Sequence, residues 1–463
     1  MRALKSASQA GFFYFFATFR AEFKEREQSV NKSDYKAIMK SMKSRLLTAV
    51  LFCGLVASCE REGREEQPVP NDLDYPRAEW ATAGEILMHT PGEELFCGVI
   101  HPDAGLFENY FDVEKAASEH VHYMEMLRNN GIRVHSVMEI LEEVDIDKLR
   151  LLAGKALKYD ISAVPDEDVA ATEAYRQENL AKMNRADLIR CIILQPTVKL
   201  RRTDNNTGFE AEYVQNPLMN LYFTRDQSIT TPRGTVICNM NSSQRAAETD
   251  IIALCYEHLG RKPVLRISGE GRLEGGDYIP AGTLSYIGCG MRTNYEGIHQ
   301  MMEADAFGHD TVVVVIDHKR WQMQMHLDTH FNIIDKDLCT MVRSRLEASP
   351  GDPEYGTCDI WARRPGTKEY SRIRTDVPFV DLIQDRGMQI IPIDYDDEMH
   401  YANNFLTIAP RHIMAVAGQS DALQKRFRDA GVKVEWIPLD NLIGGYGAAH
   451  CMTQVLQRRK ENY

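Results

Sequence analysis

A glycine set directly after a helical stripe and directly before a short alternating strand recurs along this chain, and it restricts the fold more than any other feature. Leu127-Arg128-Asn129-Asn130-Gly131-Ile132-Arg133-Val134 and Phe427-Arg428-Asp429-Ala430-Gly431-Val432-Lys433-Val434 agree in character at nearly every position. Weaker copies are Leu259-Gly260 ahead of Val264-Leu265 and Arg386-Gly387 ahead of Ile390-Ile391. Glycine there supplies the left-handed backbone that lets a chain leave a helix and enter a strand. Ahead of Gly131, the residues Ala116, His120, Val121, Met124 and Leu127 share one helical face. Val312 to Ile316 and Ile413 to Ala417 are continuous apolar runs, as expected of strands covered on both faces. Several copies of one unit predict an α/β pseudo-repeat rather than a doubly wound sheet. Residues 138–200 are rich in helix formers and poor in glycine, which predicts a helical insertion.

The N-terminal region reads as an address. Lys40, Lys43 and Arg45 precede a short apolar stretch, Leu46 to Val56, and Leu55-Val56-Ala57-Ser58-Cys59 follows the layout of a bacterial lipobox. Residues 39–59 are therefore expected to be a lipoprotein-type signal with Cys59 as the lipidation candidate, and 60–74 a polar tether. Residues 1–38 are expected to be an over-extended start or a leader. The catalytic domain is expected over 75–463, exported on a lipid anchor, or cytoplasmic without that signal. A net charge of −13 and the lack of an arginine-rich run argue against a nucleic-acid partner. Ten cysteines without any C-x-x-C argue against a zinc ribbon or a redox pair.

Four segments set charged or nucleophilic groups among apolar residues or glycines: Asn220 to Asp226, Leu273 to Asp277, Met325 to Phe331, and Gly444 to Thr453. Together they hold what a guanidine hydrolase needs. The substrate group is a planar cation with forked N–H donors, which paired carboxylates match. A thiolate must reach its central carbon, and a proton donor must release ammonia. Asp226, Asp328, Cys451, His326 and Glu274 supply that set. Each has a plainer reading. Asp226 beside Arg225 resembles a surface ion pair, Glu274-Gly275-Gly276-Asp277 a common turn, and Arg245 a solvated helix residue. On a strand, His326 and Asp328 would point to the same face.

The order of these segments resembles the arginine deiminase family of the guanidine-modifying superfamily. The resemblance covers roughly residues 80–455, including His89-Thr90-Pro91-Gly92-Glu93-Glu94-Leu95 and the helix around Glu119-His120. It implies a pseudo-fivefold α/β propeller of repeated ββαβ units with an inserted helical subdomain. It further implies that Asp226 and Asp328 clamp the guanidinium, Cys451 attacks it, His326 shuttles protons, and Glu274 holds the far guanidinium nitrogen. Asn220, Arg245 and Arg292 would fix the amino-acid end, with Phe223 also in the substrate site. Free L-arginine would become L-citrulline and ammonia through an amidino-cysteine, with no metal or organic cofactor. The chain would form a homo-oligomer. Agmatine, methylated or peptidyl arginine, and a surface guanidine-binding protein without turnover, are the alternatives. Tyr446 within the glycine run and Gln454-Val455, where the family usually has a proline, depart from the family pattern.

Overall fold

The structure, a computed structural model, describes residues 73–205 and 207–460. The signal, Cys59 and most of the tether lie outside the described residues. Leu73–Asp74 pairs antiparallel with Arg458 and Arg459, so the folded domain begins within the expected tether.

One wiring pattern is used five times: an antiparallel strand pair, a helix, and a third strand parallel to the second. Ser228–Thr231 and Gly234–Ile237 pair antiparallel, and after the helix Glu248–His258 the strand Leu265–Arg266 returns parallel. Tyr278–Ala281 and Leu284–Cys289 are followed by Tyr295–Glu303 and Thr311–Ile316. Phe331–Asp335 and Leu338–Val342 are followed by Phe379–Asp385 and Gln389–Ile393. Leu406–Ala409 and His412–Val416 are followed by Asp421–Asp429 and Lys433–Ile437. The remaining unit is assembled from both ends of the domain. Its first strand is Gln454–Arg459, its second Ala83–Met88, its helix Val113–Asn129 and its third strand Arg133–Ser136.

The repeated glycines do what their position requires. Gly131, Gly260, Gly387 and Gly431 all have φ between 69° and 76°, each just after a helix. On Val113–Asn129 the face formed by Ala116, His120, Met124 and Leu127 is buried as expected, whereas Val121 is 38% exposed. The strands Thr311–Ile316 and His412–Val416 are almost wholly buried, which explains their unbroken apolar runs.

The insertion departs from the all-helical expectation. It holds four helices, from Val137–Glu143 to Arg185–Leu194, but also a three-stranded sheet. Lys158–Ala163 pairs parallel with Pro196–Arg202, which pairs antiparallel with Phe209–Gln215. These strands are largely exposed, so they lack the apolar signature that marks a strand in sequence. The insertion helices share a core with the helix Glu248–His258, through Leu149, Leu188, Ile192, Ile251 and Cys255. Among the described residues no helix is long and apolar enough to cross a membrane.

Gly275 joins two units where only a hydrogen fits. A Cβ there would lie 2.0 Å from the carbonyl oxygen of Arg225 and 2.5 Å from that of Ser228. Gly275→Ala is expected to cost about 2–3 kcal/mol, because backbone rather than a flexible side chain must move. Urea unfolding of the two proteins measures it, and equal midpoints would contradict this packing.

Candidate active site

Each of the five units contributes the segment just ahead of its first strand. Asp226 precedes Ser228–Thr231, Glu274 precedes Tyr278–Ala281, and His326 and Asp328 precede Phe331–Asp335. Asn403 and Asn404 precede Leu406–Ala409, and His450 and Cys451 precede Gln454–Arg459. His326 and Asp328 do not lie on a strand. Leu327–His330 is a single helical turn, with His326 in extended conformation at its head. The Leu327 amide donates to Asp277 Oδ1 at 3.0 Å, which fixes the turn.

Around Cys451, itself 3% exposed, the two flanking carboxylates are each half used. Asp328 Oδ2 accepts from His450 Nδ1 at 2.6 Å and from the Cys451 thiol at 3.7 Å. Asp226 Oδ2 accepts from Arg245 Nη1 at 2.7 Å. The other oxygens, Asp226 Oδ1 and Asp328 Oδ1, are buried without a hydrogen-bond partner. So are His326 Nδ1, Asn220 Oδ1 and Arg292 Nε. Each such orphan costs about 1–3 kcal/mol in desolvation, which a ligand of matching donors and acceptors removes. A cleft lined by Asn220, Phe223, Asp226, Arg245, Arg292 and His326 reaches Cys451.

His326 Nε2 donates to Glu274 Oε2 at 2.9 Å, and its Nδ1 lies 3.8 Å from Asp226 Oδ1. Burial alone would lower the imidazolium pKa, but Asp226, the Glu274 hydrogen bond and Asp277 outweigh it and raise it to about 9. The reverse holds for Glu274. Burial raises it, yet the His326 hydrogen bond and the charges of His326, Arg292 and Arg245 pull it well below the carboxylate range. Burial pushes Asp277 up to about 6. Cys451 is driven well above an ordinary thiol by burial first, then by Asp328 and Asp226. In this state Cys451 is a thiol beside an imidazolium.

The nine residues singled out from sequence are brought together. Glu274 accepts from His326 on one oxygen and from the Asn241 amide at 2.9 Å on the other, so it holds the histidine in place. Arg245 is 5% exposed, not a solvated helix residue. Its guanidinium is spent on Asp226 at 2.7 Å and on Glu248 at 2.9–3.2 Å, so no carboxylate position is left open on it in this state. Arg225 and Asp226 are buried and point to different partners, so they are no surface pair. Tyr446 lines the cleft with a left-handed backbone, φ 65°. Gln454, at the place of the usual proline, donates to the Ser228 carbonyl at 3.0 Å.

Sequence reading missed His450, Asn404, Glu248 and Gln322. Asn404 Oδ1 accepts from the amides of Ala448 at 2.9 Å and Cys451 at 3.2 Å, which shapes the nucleophile loop. Its signal was positional: Asn403-Asn404 stands ahead of a first strand, where every other unit carries a site residue. Glu248, three residues after Arg245, was legible as a helical i,i+3 partner. Gln322 Oε1 takes the Nη2 of Arg292 at 3.1 Å.

Asp226, Glu274 and His326 place one ligand atom each within 4.8 Å of one another, a spacing that suits a metal ion. Here His326 Nε2 donates to Glu274 Oε2 at 2.9 Å, so the two face each other.

Residues 103–458 match the family described as arginine deiminase. The arginine deiminase of Halobacterium salinarum is 26% identical over 477 residues, spanning 83% of this chain and 96% of its own length. That of Mycolicibacterium gilvum is 27% identical over 409 residues, spanning 81% and 96%. Among solved structures, unliganded AgrE is similar with a TM-score of 0.50 at 15% identity, covering 82% of this chain and 40% of that one. DDAH from Pseudomonas aeruginosa complexed with citrulline gives 0.47 at 16% identity, covering 82% and 100%. With most of its length matched, this chain belongs to the arginine deiminase family.

Proposed function

We propose that the protein hydrolyses L-arginine to L-citrulline and ammonia. The observation that carries this reading is the pair of unpartnered carboxylate oxygens, Asp226 Oδ1 and Asp328 Oδ1, set beside the Cys451 thiol. A guanidinium brings donors for both, and two charge-assisted bonds orient its carbon for attack. Arg292 Nε and Asn220 Oδ1 are then left for the carboxylate and ammonium of the same molecule. In the first half-reaction the Cys451 thiol loses its proton to solvent once the guanidinium is bound, Sγ bonds the guanidinium carbon, and the carbon–nitrogen bond to the leaving nitrogen breaks as His326 gives that nitrogen its proton. In the second, neutral His326 takes a proton from water, the oxygen bonds the carbon, the bond to sulfur breaks, and the hydroxyl proton of the product restores the thiol. Glu274 acts through His326 by holding its proton-bearing face.

The five units are proposed to close into a pseudo-fivefold propeller. This is supported by their identical wiring and by the one site their pre-strand turns share. Export with Cys59 lipidated rests on the residue 39–59 pattern, and Cys59→Ser should move the protein from the membrane to the soluble fraction. A homo-oligomer is the proposed assembly, which light scattering tests.

Purified protein given L-arginine is expected to release citrulline and ammonia in equal amounts. Arg292→Ala should lower kcat/KM for arginine about 100-fold, near the ~2–3 kcal/mol of a charged hydrogen bond, while sparing agmatine, which has no carboxylate. Turnover of agmatine alone by the unmodified protein would replace this reading with another guanidine. Binding without turnover would point to a guanidine-binding protein.

The thiol and the imidazole give a separate test. Alkylation of free Cys451 by iodoacetamide should accelerate with pH beyond 9, without a plateau at neutrality. The alkaline limb of kcat/KM should fall at about pH 9, where His326 loses its proton. In Glu274→Gln, which removes a carboxylate that holds this proton, the limb should move down toward 6.5. A Cys451 pKa well below neutral, or a limb that Glu274→Gln leaves in place, would refute this protonation scheme.

A further inference from the structure

The charge chain that starts at Cys451 does not end at His450. The second ring nitrogen of His450 lies 3.5 Å from Glu79 Oε1, and Glu79 lines another cavity with Arg225, Tyr278, Gln454 and Arg458. None of these side chains has a place in the reaction above.

The lining is unbalanced in charge. Glu79 is ionised: burial opposes this, but Arg458, His450 and Arg225 lower its pKa to about 2. Arg458 pairs with Glu79 and donates to the carbonyls of Ala81 at 2.6 Å and Thr407 at 2.8 Å. Arg225 has no such partner. It is 6% exposed, its Nε donates to the His450 carbonyl at 3.3 Å, and it forms no ion pair among the described residues. Its Nη2 is buried without a hydrogen-bond partner, and so is the Tyr278 hydroxyl. Gln454 does not serve them: its Nε2 donates to the Ser228 carbonyl and to Thr230 Oγ1, and neither Arg225 Nη2 nor Tyr278 Oη has a partner. Neither Asp226 nor Asp328 lines this cavity, and each is paired away from Arg225, the one with Arg245 and the other with His450.

Two guanidiniums thus share one carboxylate in a closed space, and a buried cation without a counter-charge is among the costliest arrangements in a fold. Water would accept one N–H bond yet leave the charge in place. A monovalent anion accepts from Arg225 and Tyr278 together and restores neutrality. A divalent oxyanion would overshoot the charge, and the cavity has room for little more than one water-sized body. We infer that this cavity is a binding site for a small monovalent anion of chloride size, held by Arg225 Nη2 and Tyr278 Oη. The backbone amide of Arg225 donates to the Cys451 carbonyl at 3.1 Å, so the anion would brace the nucleophile from behind.

Bromide tests this directly. Crystals of the full chain soaked in sodium bromide are expected to show anomalous density in the cavity, beside Arg225 and Tyr278. In solution, chloride should raise Tm saturably at constant ionic strength, with isethionate, too large for the cavity, as the balancing anion. Tyr278→Phe should raise the half-effective chloride concentration about tenfold, the worth of one hydrogen bond to a charged group. Arg225→Gln should abolish both signals. Should that variant not fold, the bromide density and the Tyr278→Phe shift decide. A cavity that holds water and no anomalous density overturns the inference. A chloride response that the variants leave unchanged overturns it as well.

Discussion

A carboxylate in a protein interior stays ionised only if a cation or a donor faces it. The site depends on how that demand is met, residue by residue. Glu274 is satisfied on both oxygens, by His326 and the Asn241 amide, and so becomes a fixed support. Asp226 and Asp328 are each satisfied on one oxygen, by Arg245 and His450. Satisfied fully, they would have nothing for a ligand. Dividing each carboxylate leaves one oxygen to act as a receptor.

The repeat makes this division possible. A turn ahead of a first strand leaves its backbone amides and side chains out of the sheet ladder. Five such turns converging on one place deliver charged groups from five directions without a single long loop. The supporting partners come from the same turns or directly beside them. Asn404 stands in one turn and fixes the backbone of another, while His450 stands next to the nucleophile and holds Asp328. Gly275 and Gly276 show how close these turns lie. A Cβ on Gly276 would meet His326 Nδ1 at 2.6 Å, so that glycine lets the imidazole pack flat on its neighbour turn.

Sequence reading recovered what rests on a local pattern. The helix–Gly–strand units were legible because the left-handed turn calls for glycine and the buried strands call for unbroken apolar runs. Cys451, His326 and the acids stood out because each sits among apolar or glycine neighbours, and the fold brings them together. What depends on distance in the chain was not legible. Nothing near Glu274 says that His326, 52 residues away, takes its oxygen. Nothing near Arg245 says that its fork closes on Asp226 rather than facing a substrate. The exposed strands Pro196–Arg202 and Phe209–Gln215 were missed because a strand with two wet faces has no apolar alternation to betray it. Glu79 and Arg458 pair across 379 residues, which no window along the chain can show.

The protonation states then explain why the nucleophile rests as a thiol. With Asp226 and Asp328 beside it, a thiolate would add a third negative charge to a buried cluster, and His326 is already shared among Asp226, Glu274 and Asp277. A guanidinium arriving on the two free oxygens adds the missing positive charge at the place where the thiolate must form. In the proposed reaction the same cation is therefore both the electrophile and the condition for its attacker. Water, being neutral, does not supply that condition, and a molecule too large to reach both oxygens supplies it poorly. Selectivity for a free guanidinium thus begins with the charge of the site, before any contact to the rest of the substrate is made.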